Sequence, residues 1–541
     1  MDADLIVVGA GLAGLVAATE AADAGRRVVV IDQESENNLG GQAFWSFGGL
    51  FMVDTLEQRR FRVHDSRDLA LRDWLAYAAF DRDEDRWPKR WAEAYVDFAA
   101  GEMRLWLHRQ GMRWFPLVQW AERRGSSVPR FHVTWGTGPG VIEPFVRRIR
   151  ATRDAGRVEL RFRHRATELL TAAGVVVGVA GEVLEPSDAP RGVATSRRVT
   201  GTFALRAGAV VLTSGGIGGD HELVRRYWPA RLGRPPALML AGVPDHVDGR
   251  MLEIARASGA AAINLDRMWS YPEGVRNFAP IWTRHGIRIL SGPSPLWLDA
   301  TGRRLPAPLF PGFDALGALE RIANSGHDHS WLVLDRPTLA REFALSGSEQ
   351  NPDLTGRSVA MVLQRALPRA VPHVARFAER CADFVFGADP DELARKMNAL
   401  AGTPEIDPKA LGREIASYDE DLASPQPQDL QRQAAREARR YIVDRFIRVA
   451  RPHRLLGRSA RPLVAVRCWI LTRKTLGGLA TDLDGRVLNA QGQPIDGLFA
   501  AGEVAGFGGG GVHGYRSLEG TFLGGCIFSG RIAGRSAARA S

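Results

Sequence analysis

Short apolar runs without polar alternation recur along the chain, and such runs predict strands covered on both faces. Leu5-Ile6-Val7-Val8 is the first. After it come a glycine turn, an alanine-rich helical stretch to about Ala24, and a second run, Arg27-Val28-Val29-Val30-Ile31, closing on Asp32. The theme returns downstream in Val210-Val211-Leu212 and in Gly497-Leu498-Phe499-Ala500-Ala501, which ends on Gly502-Glu503. Residues 158 to 216 read largely as strands. Aromatic residues at helical spacing, Trp74-Tyr77 and Trp87-Trp91-Tyr95-Phe98, predict helices whose aromatic face forms a core rather than a ligand wall.

The turn after the first run is Gly9-Ala10-Gly11-Leu12-Ala13-Gly14. In a strand–turn–helix–strand unit these glycines have separate tasks. Gly9 allows the tight turn, Gly11 lets the backbone approach a pyrophosphate, and Gly14 lets helix and strand pack closely. A diphosphate then rests on the free amides and positive end of the helix. Asp32, 23 residues after Gly9, stands where a carboxylate accepts from ribose hydroxyls, with Gln33 beside it. The unit predicts a dinucleotide-binding α/β fold.

At 541 residues, two domains are expected. Three scattered cysteines (Cys381, Cys468, Cys526) give neither a disulfide framework nor metal spacing, so no metal is expected. The formal charge of +10 is carried almost entirely by arginine. The arginines are spread along the chain, denser from Arg436 to Arg461, so a solvated surface is expected rather than a nucleic-acid partner. No leader pattern and no uncharged run of spanning length is present, which predicts a cytoplasmic protein.

The three blocks around Gly9, Val210 and Gly497 resemble those of the FAD-dependent oxidoreductases related to fumarate reductase, succinate dehydrogenase and 3-ketosteroid dehydrogenase flavoproteins. Further matches are Gly40-Gly41-Gln42, the turn Trp135 to Val141, and Val247-Asp248-Gly249-Arg250. The resemblance implies a Rossmann-like, three-layer FAD domain of parallel sheet plus β-meander (residues 1–268 and 474–541) and an inserted α+β capping domain (269–473). It implies FAD contacts from the Gly9–Gly14 turn, Asp32, Gln33, Gly40, Gly41, Gln42, Ala166, Thr213, Ser214, Gly215, Asp248, Gly502, Glu503, Ser517, Leu518 and Thr521. Asn37-Asn38-Leu39 stand where some members carry a tethering histidine, so noncovalent FAD is expected.

Gly508 to Ser517 resembles the family's G-G-V-H-G-x-x-R stretch, one residue shorter, and assigns Arg516 to the substrate, with Tyr515 and His513 beside it. Lys474-Thr475-Leu476-Gly477-Gly478 matches an H-T-x-G-G segment, with Lys474 at the substrate-binding histidine. The cap segment Gly302 to Asp314 departs from the family: Gly312 falls where a ketosteroid dehydrogenase has its tyrosine base. The acid or base is therefore sought among Tyr515, Tyr271, His285 and Lys474. The expected activity is oxidation or reduction of a CH–CH bond next to a carbonyl or carboxylate, with an apolar ring ketone such as a steroid among the expected substrates. The alternatives are a flavin-dependent hydratase or isomerase and a flavin-binding protein with little catalysis. No second complete G-x-G-x-x-G unit is present, so a small-molecule substrate and an external electron donor or acceptor are expected.

Overall fold

The apolar runs assemble in an order that no short stretch of chain contains. The computed structural model describes residues 1–367, 369–423, 427–457 and 461–541. Its first sheet runs Arg486–Leu488, Pro494–Ala500, Ala209–Leu212, Leu5–Val8, Val28–Asp32, Val158–Phe162. Every neighbouring pair is parallel except the edge pair Arg486–Leu488 and Pro494–Ala500. Leu5–Val8 lies inside this sheet, buried along its length, which is why no polar residue interrupts it.

The helix Leu12–Asp23 packs on the C-terminal helix Thr521–Ala540. A Cβ on Gly530 would lie 2.5 Å from the Ala13 carbonyl oxygen, and one on Gly534 2.4 Å from that of Ala17. The two backbones meet directly, so the first and last helices are locked together.

The stretch 158–216 divides. Val158–Phe162 and Ala209–Leu212 belong to the parallel sheet, and only His164–Ala172, Val175–Leu184 and Val199–Arg206 form the antiparallel meander. The aromatic helices Arg67–Ala78 and Arg86–Ala100 turn their rings inward, as their spacing predicts. Trp74 and Trp91 are buried, and their indole nitrogens donate to the Val512 and Asp482 carbonyls, both at 3.0 Å.

A second sheet runs Leu296–Leu298, His329–Asp335, Leu463–Thr475, Met268–Arg276, Gly286–Leu290, Ala344–Leu345. Along His329–Asp335, Leu332 and Leu334 enter one apolar core while Trp331 and Val333 enter another, so the sheet is covered on both faces. Leu240–Ala241 also pairs with Leu463–Thr475, so this sheet draws one short strand from outside 269–473. The chain enters and leaves the second unit side by side: Met268 pairs with Thr475 and Trp269 with Lys474, antiparallel. Among the described residues no helix is long and apolar enough to cross a membrane, and no cluster of three His, Cys, Asp or Glu is arranged to hold a metal.

Candidate active site

A long cavity, about 1930 Å³ counted out to its open mouth, runs from the carboxyl ends of Leu5–Val8 and Val28–Asp32 to the second sheet. In parallel α/β sheets ligands bind at this edge. At the near end the three turn glycines differ. Gly9 has φ +109° and a Cβ there would stand 2.7 Å from the Thr213 carbonyl oxygen; on Gly14 it would stand 2.0 Å from that of Gly9. The fold itself requires both. Gly11 has φ −73°, and a Cβ there meets nothing closer than 4.0 Å, yet Gly11 lines the cavity. Its missing side chain leaves room in the cavity, as a diphosphate lying on the helix N-terminus requires. A dinucleotide such as FAD therefore fits these residues.

Asp32 is held in place by the amides of Ala10 (2.7 Å) and Glu34 (2.8 Å). Burial raises its carboxyl pKa, against the lowering by those two amides. Of the residues expected to hold the cofactor, Gly9, Gly11, Leu12, Ala13, Asp32, Gln33, Gly41, Gln42, Ala166, Thr213, Ser214, Gly215, Asp248, Gly502 and Glu503 line the cavity. Ala10, Gly14, Gly40, Ser517, Leu518 and Thr521 are not part of that lining and stand behind it. Gly40 faces Ile142, Ser517 and Thr521 bond each other through their hydroxyls (2.9 Å), and Leu518 is buried. The helix start reaches the cavity instead through Gly520, Phe522, Leu523 and Cys526.

At the far end Glu503 accepts from the Thr475 amide (2.8 Å) and the Gln42 side-chain amide (2.6 Å), and Lys474 Nζ donates to Gln42 Oε1 (3.1 Å). Both oxygens of Glu503 thus have protein partners, and a chain of hydrogen bonds links it through Gln42 to Lys474. Burial lowers the Lys474 pKa, with Glu503 opposing. Arg473 also lines the cavity, but its guanidinium forms no hydrogen bond or ion pair among the described residues; burial lowers its pKa.

Beyond these cations, three cavity-lining side chains form a cluster. The Tyr271 hydroxyl and Arg288 Nη1 both donate to Glu519 Oε1, at 3.0 and 2.7 Å, and the Arg288 guanidinium lies 3.7 Å from the Tyr271 ring centre. Burial, and then the Glu519 charge, raise the Tyr271 pKa well above the usual phenol value. Burial opposes the charge on Arg288, but Glu273 and Glu519 more than offset it and raise its pKa.

His513, Tyr515 and Arg516, expected at the substrate, are not part of this lining. His513 is wholly buried, stacked on Trp74 with ring centres 5.6 Å apart, and burial pushes its pKa down to about 3. The positive-φ turns from Gly508 to Gly511 fold the following residues back into the aromatic core. The Tyr515 ring is taken up by Arg82, Arg231 and Arg267, and its hydroxyl contacts Arg82 and Asp81. Arg516 lies 5.9 Å from the Tyr77 ring centre. His285 stacks on Trp282 at 3.5 Å, with its pKa pushed by burial to about 3, and it too lies outside the lining. Gly312 packs against Arg123, whose amide donates to its carbonyl. Arg473, Arg288 and Glu519 were not singled out from the sequence. The only signals were Arg473's adjacency to Lys474 and Glu519's position within the Ser517–Leu523 turn.

A family model described as "FAD binding domain" matches residues 4–523. The chain is 58% identical over 544 residues to a protein of Mycolicibacterium smegmatis named KsdD-like steroid dehydrogenase, covering 99% of each chain. Among solved structures it is similar to 3-ketosteroid-delta4-(5alpha)-dehydrogenase from Rhodococcus jostii RHA1 in complex with 4-androstene-3,17-dione. That likeness has a TM-score of 0.64 at 21% identity and covers 99% of this chain and 96% of the other. It is also similar to the open conformation of a flavocytochrome c3 fumarate reductase, with a TM-score of 0.66 at 22% identity, covering 99% and 78% of the two chains. The two structural likenesses are likenesses of fold.

Proposed function

The chain belongs to the FAD-binding-domain family of flavin-dependent oxidoreductases, and from that premise we propose that it dehydrogenates the CH–CH bond beside the carbonyl of a polycyclic ketone of the steroid class. The observation that carries this reading is the continuity of one cavity. It begins at a dinucleotide cradle around Gly11 and extends to where Arg473 and Lys474 stand with the Tyr271–Glu519–Arg288 cluster.

Gly11, the start of the Leu12–Asp23 helix and Asp32 would hold the nucleotide half of FAD, and Gln42 and the helix start at Gly520 would hold its flavin half. Bound FAD supplies a two-electron acceptor for a hydride leaving one carbon of the pair. The proton on the other carbon, next to the carbonyl, falls to the protein. The Tyr271 oxygen takes that proton while its own passes along the 3.0 Å hydrogen bond to Glu519. Arg288, over the ring and bonded to Glu519, holds down the negative charge during the transfer. Arg473 and Lys474, both lining the cavity, polarise the carbonyl oxygen, and as cations already in place they need little rearrangement to do so. Electrons leave to an external acceptor.

Anaerobic mixing of the oxidised holoenzyme with a ring-A keto steroid is expected to bleach the flavin band at a rate that saturates with steroid concentration. If saturated and unsaturated keto steroids all leave the spectra of the oxidised and the reduced flavin unchanged, the proposal fails. The cofactor is held noncovalently. The histidines lining the cavity, His164 and His246, stand with Asp32, Gln33 and Asp248 at the nucleotide end, away from the Lys474–Glu503 end. Acid precipitation is therefore expected to leave the yellow colour in the supernatant; a yellow pellet contradicts this.

A further inference from the structure

One cation in the cavity has no part in this chemistry. Arg448, directly after the helix Ile442–Ile447, lines the cavity together with Leu290. Among the described residues its guanidinium hydrogen-bonds only the Leu290 and Ser291 carbonyls, both at 3.4 Å, the long limit of a hydrogen bond. Two buried acids, Asp444 and Glu342, lie close enough to act on its charge, but neither hydrogen-bonds the Arg448 side chain: Asp444 Oδ2 accepts from Arg123, and Glu342 accepts from Ser294 and the Ala450 amide. Burial lowers the Arg448 pKa, and the charges of Asp444 and Glu342 oppose this only in part.

Its position along the cavity matters. Arg288 and Leu290 lie two residues apart on the strand Gly286–Leu290 and so face the same side, about 7 Å apart. Arg448 caps the Leu290 end, beyond the Tyr271–Glu519–Arg288 cluster. The lining also includes Phe47, Phe131 and Ala121, which offer apolar walls. A ligand whose reacting carbonyl meets Arg473 and Lys474 therefore extends an apolar body toward a further guanidinium, held by two long bonds to carbonyls.

We infer that Arg448 is a subsite for a carboxylate at the remote end of the substrate, so that the preferred ligands are polycyclic keto acids rather than neutral ketones. This rests on the steroid-class reading above and deepens it. A guanidinium offers a planar pair of donors matched to a carboxylate, and two such bonds replace its two long contacts to carbonyls.

The test compares 3-oxocholenoic acid with its methyl ester on the holoenzyme, reading binding from the perturbation of the flavin spectrum and turnover from flavin reduction. The acid is expected to bind at least about tenfold tighter than the ester, the scale of one charge-assisted hydrogen bond. Arg448→Gln is expected to abolish that preference by weakening the acid alone, and Arg448→Lys to keep part of it. Unchanged ester binding by both variants verifies that the cavity is intact. Equal binding of acid and ester by the wild type, or a preference that survives in Arg448→Gln, overturns the subsite, as does failure of the acid to bind. If the preference is present and lost on mutation but neither compound reduces the flavin, the subsite stands and the dehydrogenase reading fails.

Discussion

The Gly11→Val protein is expected to fold and to purify without FAD. The φ of −73° suits any L-residue, and a Cβ at this position touches no protein atom within less than 4.0 Å. The valine side chain instead enters the volume where the diphosphate lies on the helix N-terminus. Losing that approach is expected to weaken FAD binding by more than about 100-fold, or roughly 3 kcal/mol. The far-ultraviolet circular dichroism should match that of the cofactor-stripped wild type, and added FAD should no longer raise the melting temperature. Gly14→Val is the contrasting case. Its Cβ would stand 2.0 Å from the Gly9 carbonyl oxygen, so helix and strand must separate and little folded protein is expected. A yellow Gly11→Val protein with unchanged affinity would show that the cofactor does not cross this turn.

The second large effect is expected for Tyr271→Phe. The substitution keeps the ring under Arg288 and removes only the hydroxyl that donates to Glu519. Proton transfer by a positioned side chain contributes about 10²–10⁴-fold, so flavin reduction by steroid should slow by that range while steroid and FAD affinities stay near wild type. Burial and the Glu519 charge keep the phenol protonated well above its usual range. The wild-type rate should therefore show no alkaline step from free ionisation of Tyr271 between neutral pH and the ordinary phenol pKa. A rate that is unchanged in Tyr271→Phe assigns the proton transfer to another group.

The nucleotide end of the site was legible in the sequence because its parts are local. Gly9, Gly11, Gly14 and Asp32 lie within one strand–turn–helix–strand unit, and each has a steric or hydrogen-bonding reason for its place. The far end is assembled from separate segments: Tyr271 and Arg288 from adjacent strands, Lys474 from the returning strand, Glu519 from the turn before the last helix, and Arg448 from a short helix in the Arg-rich stretch. No periodicity links them. Resemblance assigned Arg516 to the substrate, yet the chain reaches the cavity three residues later, at Glu519. Between them the backbone passes from the core around His513 to the left-handed turn at Gly520. Tyr271 was a candidate by residue type and Lys474 by the family resemblance, but Arg288, which lies over the Tyr271 ring, carried no signal because arginines are spread along this chain.

The locked first and last helices bear on how the chain is made. The partner of Leu5–Val8 on one side, Val28–Asp32, follows it closely in sequence, but the strand Pro494–Ala500 and the helix whose Gly530 and Gly534 meet Ala13 and Ala17 are made long afterwards. Contacts so distant in sequence carry a large loop-closure entropy and form slowly. The nascent nucleotide-binding unit must therefore wait, with one side of its central sheet and first helix uncovered, until Pro494–Ala500 and Thr521–Ala540 have been made. That interval is the window in which exposed apolar strands aggregate. Chaperone supply during translation is then expected to govern the yield of active protein more than the final stability does.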